Sequence, residues 1–249
     1  MRTHEPLLTF TAPLSKTLDE LSVVIPVYDE AANIAGLLGE LEACLDGRVR
    51  YEVIVVDDGS TDDTLERLRD VRRKRRLPLR ILRHARNAGQ SAALRNGIAA
   101  ARCDWIVTLD GDGQNDPADI PKLLAAAAAS NGRPDLVCGP RFSRRDPRIK
   151  RLSSRLANAV RVRLLEDGIP DTGCGLKLLR REAFLNLPAF NHMHRFLPTL
   201  IQREGGEVMS VAVNHRPRLR GRDPRSTVGR DRRSAWRAMA AAACDQLQL

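Results

Sequence analysis

Apolar residues in this chain occur in two kinds of run, short continuous ones and longer ones in which they recur every three or four positions. The continuous runs at 21–27, 51–56 and 105–109 each stop abruptly at polar residues, as buried strands do. Between the first two, residues 31–45 carry apolar side chains at helical spacing. This alternation with short connections predicts an α/β protein built on a parallel, doubly wound sheet.

The remaining pattern predicts further elements in the same alternation. A helix from about residue 62 to 76 follows Ser60 or Thr61, either of which can cap it. We expect strands at 79–82, 135–138 and 207–214 and in the segment ending near 181, and helices at 92–101, 121–129, 196–204 and 236–249.

The same reading divides the chain into three parts. Residues 1–20 lack sustained periodicity and form an expected leader, 21–215 form the α/β domain, and 216–249 form a basic tail with a short alanine-rich helix. No apolar run approaches the roughly 20 residues that cross a bilayer, so we expect any membrane contact to be peripheral. The N-terminus, with its acids and prolines, does not resemble a signal peptide.

The formal net charge of +10 is carried mostly by arginine. Arginine suits phosphate because its planar guanidinium makes bidentate contacts. Nucleic acid, anionic lipid heads and nucleotide diphosphates are all ligands that such an arginine-rich chain can bind. A GC-rich genome produces the same bias without any function. The five cysteines form neither Cys-x-x-Cys nor Cys/His pairs, which indicates core residues in a reducing compartment.

Candidate chemistry lies in the loop after the run at 105–109. Asp110 and Asp112 are one residue apart in a glycine-containing turn, so both carboxylates can face one hard cation, with Gln114 as a neutral oxygen ligand. Mg²⁺ or Mn²⁺ fits, because both take oxygen ligands and share coordination with a substrate diphosphate. The alternative is a surface turn, since turns favour aspartate and glycine.

Two further segments have more than one interpretation. From Ile149 to Leu165, apolar residues at helical spacing alternate with lysine and arginine, as in a helix lying in a membrane interface or in an ordinary surface helix. His192 and His194 suggest a metal site, but no third ligand is near, so we favour a loop role over zinc.

Several motifs, in this order, resemble family 2 glycosyltransferases, in particular the polyprenyl-phosphate branch that includes dolichol-phosphate mannose synthase. The resemblance covers about residues 21–222, and its motifs lie at 24–30, 55–60, 86–90, 109–114, 171–175 and 215–221. It implies a GT-A fold and an inverting transfer from a GDP- or UDP-linked sugar to a polyprenyl phosphate.

The resemblance also implies site roles. The donor site would be lined by Pro26, Tyr28, Glu30, Val56, Asp58, Gln90, Asp110 and Gly111. Val56 and Asp58 would meet the base, and a carboxylate can accept from a ring N–H of uracil or guanine. Asp110, Asp112 and Gln114 would lie at the metal. Arg141 and Arg218 would face the donor and acceptor phosphates, so the implied catalytic residues are Asp112, Arg141 and Arg218.

One departure concerns the loop after Gly221, where the family continues with serine, lysine and an aromatic residue. Here residues 222–227 contain no lysine, and Arg222 or Arg225 can stand in for it. A lipid monophosphate is already anionic near neutral pH, so its attack needs no general base. Family members that act on a hydroxyl usually carry a pair of acids as the base, whereas residues 171–173 here contain Asp171 alone. This favours the lipid acceptor, at the cytoplasmic face of a membrane, with a membrane-protein partner or homo-oligomer left open.

Two other functions remain as alternatives. A soluble transferase acting on a saccharide hydroxyl would use Asp171 as its base. A nucleic-acid binder has little support, because aromatic residues make up only 4% of the chain and no binding motif is present, so we expect no nucleic-acid partner.

Overall fold

The computed structural model describes residues 18–130, 134–139 and 174–217. Its strands are β1 (Glu20–Val27), β2 (Arg50–Asp57), β3 (Leu79–Arg83), β4 (Trp105–Thr108), β5 (Leu136–Cys138), β6 (Lys177–Arg180) and β7 (Val208–Ser210). Its helices are α1 (Ile34–Leu45), α2 (Thr64–Lys74), α3 (Gln90–Ala100), α4 (Ile120–Ala129), α5 (Arg181–Leu185) and α6 (Leu197–Arg203), with 3₁₀ turns at Pro117–Asp119 and Met193–Arg195.

The seven strands form one sheet in the order β3-β2-β1-β4-β6-β5-β7. The first four strands of this order are parallel, as the sequence predicts. β6 runs antiparallel to both β4 and β5, whereas β5 and β7 are parallel. The apolar run of β6 is short and could pair in either direction, so its reversal had no counterpart in the sequence pattern.

Helices cover both faces of the sheet, which makes the parallel strands apolar on both sides. On β1, Val23 and Ile25 join the core beneath α1 and α4, while Val24 joins the core beneath α3. Five apolar residues of α1 are buried. Each such side chain contributes roughly 1.5–3 kcal/mol relative to an exposed position, so burial rather than capping holds this helix in place.

Two local predictions differ from the structure. Residues 181–185 form α5, which the pattern did not indicate, because five residues are too few to show a helical period. β7 occupies only Val208–Ser210 of the strand expected at 207–214. In the described part of the chain, no helix combines the length and apolarity needed to cross a membrane.

Candidate functional site

A cleft of about 330 Å³ opens where β1, β2 and β4 end. Carboxyl ends of parallel strands gather at one edge of a sheet, which is where ligands bind in open α/β folds. The cleft is lined by Pro26, Val27, Tyr28, Glu30, Asp58, Asn87, Gly89, Gln90, Asp110, Gly111, Asp112, His192, His194 and Arg195.

The structure brings most of the expected site residues together in this cleft. Those that line it are Pro26, Tyr28, Glu30, Asp58, Gln90, Asp110, Gly111 and Asp112. Two others lie elsewhere. Val56 is fully buried in the core beneath α3. Gln114 uses its backbone, because its N–H donates to Asp112 Oδ1 at 3.1 Å and its carbonyl accepts from the N–H of Arg216 at 2.8 Å.

The loops after β1 and β2 are bonded to each other. Asp29 has a φ of 53°, an uncommon value for a residue other than glycine. Its carboxylate accepts from the Thr61 N–H at 2.8 Å, and its own N–H donates to Ser60 Oγ at 3.0 Å. The N–H of Glu30 donates to Thr64 Oγ1 at 2.9 Å. These bonds fix Tyr28 and Glu30 at the cleft.

The expected capping of α2 by Ser60 or Thr61 is wrong. The residue before this helix is Asp63, whose side chain makes no capping hydrogen bond. Ser60 and Thr61 instead bind Asp29, across the two loops. Sequence spacing cannot distinguish these uses, because the same side-chain oxygens serve caps and turns.

Asp58 is buried at the base of the cleft and has three hydrogen-bonding neighbours. Its Oδ1 accepts from the Ala88 N–H at 2.8 Å and lies 2.6 Å from His84 Nδ1. Its Oδ2 accepts from the Gly89 N–H at 2.8 Å. The turn before α3 therefore holds this carboxylate in one orientation.

Asp110 lies between a donor and a glycine. Gln90 Nε2 donates to Asp110 Oδ1 at 2.8 Å. On another side, a Cβ added to Gly175 would lie 2.1 Å from Asp110 Oδ2, so only glycine leaves room for the carboxylate in this position. Gly175, the last residue of the motif at 171–175, thus contributes to the site by being small.

The described residues contain no group of three His, Cys, Asp or Glu side chains placed to hold a metal ion by themselves. Two carboxylates, Asp110 and Asp112, do line the cleft together. Mg²⁺ is commonly held by one or two carboxylates and completes its shell with water and substrate phosphates. The donor set therefore fits a hard divalent ion that a diphosphate helps to bind.

The wall formed by His192, His194 and Arg195 was missed from the sequence, where we expected a loop role for both histidines. All three residues line the cleft, and His194 Nδ1 lies 2.8 Å from Ser91 Oγ on α3. Burial, with Arg195 and Lys177 nearby, lowers the pKa of His194 to about 3, so its ring is neutral. The sequence signal that could have revealed this wall is Met193, the apolar residue between the two histidines. Its side chain is buried against α3 and so docks the turn on that helix.

A segment from 213 to 217 is attached beside the Asp112 loop. Asn115 and His215 form an antiparallel bridge. The side chain of Arg216 binds Asp116, and it also donates to Glu40 Oε2 on α1 at 2.8 Å. The described part of this segment is thus held against the loop that follows Asp112.

Several expectations fall outside the described residues. These are the leader before residue 18, Arg141, the helix at 149–165, Asp171, Arg218, the loop at 222–227 and the terminal helix at 236–249. Their expected roles stay predictions, as does the division of the chain into three parts.

Two curated proteins are similar to this chain over most of its length. A curated relative from Rhizobium johnstonii, dodecaprenyl-phosphate galacturonate synthase, is 34% identical over 223 residues, covering 88% of this chain and 65% of the relative. Another from Pseudomonas aeruginosa, undecaprenyl-phosphate 4-deoxy-4-formamido-L-arabinose transferase, is 35% identical over 205 residues, covering 82% and 60%. The chain thus spans somewhat less than two thirds of these relatives.

Solved structures show the same architecture. A mycobacterial protein superposes with a TM-score of 0.65 at 27% identity, covering 84% of this chain and 69% of the other. Glucosyl-3-phosphoglycerate synthase from Mycobacterium tuberculosis, solved with Mn²⁺, UDP and glucosyl-3-phosphoglycerate, superposes with a TM-score of 0.64 at 24% identity, covering 84% and 74%. At that identity the second likeness concerns the fold alone.

These neighbours confirm the GT-A fold that the sequence motifs predict. The match to a family model covers residues 22–187, which extend from β1 to just after α5. That range includes the cleft-lining residues of β1 and of the loops that follow β1, β2 and β4. The chain therefore belongs to Glycosyl transferase family 2.

Proposed function

We propose that this chain is an inverting, metal-dependent glycosyltransferase that moves a sugar from a nucleotide-sugar donor to a polyprenyl phosphate. The observation that carries the proposal is the carboxylate pair of Asp110 and Asp112 in the cleft, the first of them held by Gln90. Two curated relatives are named for transfer to dodecaprenyl and undecaprenyl phosphate. Their common acceptor class supports a polyprenyl phosphate here.

In this proposal Asp110 and Asp112 hold Mg²⁺ or Mn²⁺. The ion would neutralise the negative charge that collects on the nucleoside diphosphate as it leaves. Gln90 and Gly175 keep Asp110 aimed at that position, by a hydrogen bond and by leaving room for it. The Gln114 N–H orients Asp112 in the same way.

The acceptor needs positioning rather than activation. A phosphate monoester has a second pKa near ~6, so its oxygen is already anionic and no side chain has to remove a proton. Arg195 lines the cleft and can pair with a phosphate through two N–H groups. Arg141 and Arg218 are proposed to act alongside it, bringing two anions together that would otherwise repel.

A lipid acceptor requires contact with a membrane surface. We assign this contact to the basic amphipathic segment at 149–165 and the arginine-rich tail, at the cytoplasmic face. A membrane-protein partner or a second copy of the chain could supply further attachment, and neither is required by the chemistry.

A thermal-shift experiment with UDP or GDP, with and without Mn²⁺, tests the proposal. A ligand at one hundred times its Kd stabilises the folded state by about 2.7 kcal/mol, which raises the midpoint by several degrees. We expect that rise only with Mn²⁺ present, and we expect Asp112→Asn to lose the metal-dependent part. Transfer to undecaprenyl phosphate, followed by mass spectrometry of the lipid, then checks the acceptor.

Asp63→Asn is the matched control, since Asp63 is exposed and its side chain makes no capping bond. It should keep the full metal-dependent shift. An Asp112→Asn protein with an unchanged metal response would contradict the assignment of the carboxylate pair.

A further inference from the structure

The hydrogen bonds that Asp58 already accepts limit how many further hydrogen bonds its carboxylate can accept. An ionised carboxylate has about four lone-pair positions, two on each oxygen. Oδ1 receives the Ala88 N–H and contacts His84 Nδ1, while Oδ2 receives only the Gly89 N–H. Among the described residues, Oδ1 is therefore fully used and Oδ2 keeps one position.

The tautomer of His84 decides whether its contact with Asp58 is a hydrogen bond that occupies an acceptor position on Oδ1. Asn96 Nδ2 lies 2.9 Å from His84 Nε2. An amide nitrogen only donates, so Nε2 is the acceptor and Nδ1 carries the ring hydrogen. His84 therefore donates to Asp58 Oδ1, and Asn96 maintains that arrangement from the other side of the ring.

The surrounding backbone keeps the carboxylate from turning. Gly59 has a φ of +76°, and a Cβ there would lie 2.7 Å from the carbonyl carbon of Arg86. The His84 N–H also donates to the Asp57 carbonyl at 2.9 Å. The β2 end and the turn at 84–89 are thus packed together, and rotating Asp58 would break three hydrogen bonds at once.

This count separates the bases that a donor nucleotide can carry. Uracil presents one ring N–H, which needs one acceptor position. Guanine presents two adjacent donors, its ring N1–H and its exocyclic N2–H, and these match one position on each carboxylate oxygen. Cytosine and adenine carry a lone pair on the corresponding ring nitrogen, which a carboxylate repels.

We propose that His84 is a positioning residue that makes this donor site select uracil, by occupying the Asp58 position that guanine would need. The proposal rests on the proposed function, since it assumes that a nucleotide donor occupies the cleft with its base at Asp58. A guanine donor bound there would leave one N–H without an acceptor. A buried donor left unsatisfied weakens binding about 10- to 100-fold.

Calorimetric titration of the full chain with UDP, GDP and CDP, each with Mn²⁺, tests this. We expect UDP to bind at least about tenfold more tightly than GDP or CDP. His84→Ala should reduce the preference for UDP over GDP severalfold, because Oδ1 regains an acceptor position. His84→Asn, whose amide can still donate to Asp58, should restore the preference.

The outcomes separate the two proposals. If GDP or CDP binds as tightly as UDP to the unaltered chain, the uracil assignment is wrong while the nucleotide site stands. If His84→Ala and His84→Asn both keep the original ratio, His84 has no positioning role. If no nucleotide binds, both the proposed function and this inference fail. Ligand-free thermal midpoints show whether each variant is folded, and His84→Leu, which also cannot donate to Asp58, serves if His84→Ala is not folded.

Discussion

The Asp110 carboxylate shows how closely one side chain in this cleft is fitted. Its position depends on the Gln90 amide on one side and on the missing side chain of Gly175 on another. A carboxylate that binds a metal needs such supporting contacts, and losing one commonly weakens metal binding 10- to 100-fold.

We therefore expect Gly175→Ala to weaken Mn²⁺ binding by about tenfold or more, with little loss of stability. The added methyl group would meet the Asp110 carboxylate, which can shift aside but then leaves Gln90. Titration of Mn²⁺ in the presence of UDP measures the effect. Gly36→Ala is the control, since a Cβ there meets no atom within 4 Å and should leave metal binding unchanged.

His194 provides a pH-dependent prediction at the same scale. Burial lowers its pKa from 6.5 to about 3 in the folded state, so the unfolded chain takes up this proton first as the pH falls. Stability is therefore lost as the pH falls from about 6.5 toward 3. Between pH 7 and 5 this loss amounts to about 1–2 kcal/mol.

His194→Gln should lose correspondingly less stability over that interval, as measured by urea unfolding at each pH. His192→Gln is the matched control, because His192 is exposed and its protonation costs the folded state less. Equal pH dependence in the unaltered chain and His194→Gln would mean that His194 is not held neutral.

At the scale of elements, the segment at 213–217 joins the loop that follows Asp112 to α1. Arg216 lies between Asp116, on the loop that follows Asp112, and Glu40, on α1. The Asn214 N–H donates to Asp119, which is almost fully buried. These contacts hold the segment against the loop that follows Asp112, which its distance in sequence from Asp112 does not suggest.

We expect Arg216→Ala to destabilise the fold by about 1–3 kcal/mol, because it leaves the half-buried Asp116 without its cation. Arg50→Ala is the matched control. Its ion pair with Glu20 is largely exposed, and such pairs contribute about 0–1 kcal/mol. Urea unfolding distinguishes the two, and similar losses in both variants would show that Arg216 is only a surface contact.

At the scale of the whole molecule, charge governs the encounter with an anionic surface. The net charge of +10 should draw the full chain to vesicles that contain anionic lipid at about 0.1 M salt, where the screening length is about 10 Å. We expect sedimentation with those vesicles, release at about 1 M salt, and weak binding to neutral vesicles. Binding that depends neither on the lipid charge nor on the salt concentration would contradict an electrostatic contact.

The sequence determined the elements and their chemistry. Continuous apolar runs ending in acidic loops predict parallel strands whose carboxyl ends carry the site, because burial on both faces and the polar turn are local consequences of residue type. On this basis the parallel sheet and the cleft edge could be predicted, whereas the GT-A fold and eight of the residues that line the cleft were implied by the resemblance to a known family. The motifs also gave the family, since their order is a property of the chain itself.

Tertiary structure alone decided which distant segments meet there. The reversed direction of β6, the His192–Arg195 wall, the packing of Gly175 on Asp110 and the His84 bond to Asp58 join residues far apart in the chain. Such contacts depend on the register of strands and the docking of turns, which many sequences with the same periodicity could satisfy differently. For the same reason Val56 and Gln114, each two positions from a cleft residue in sequence, have side chains outside the cleft lining.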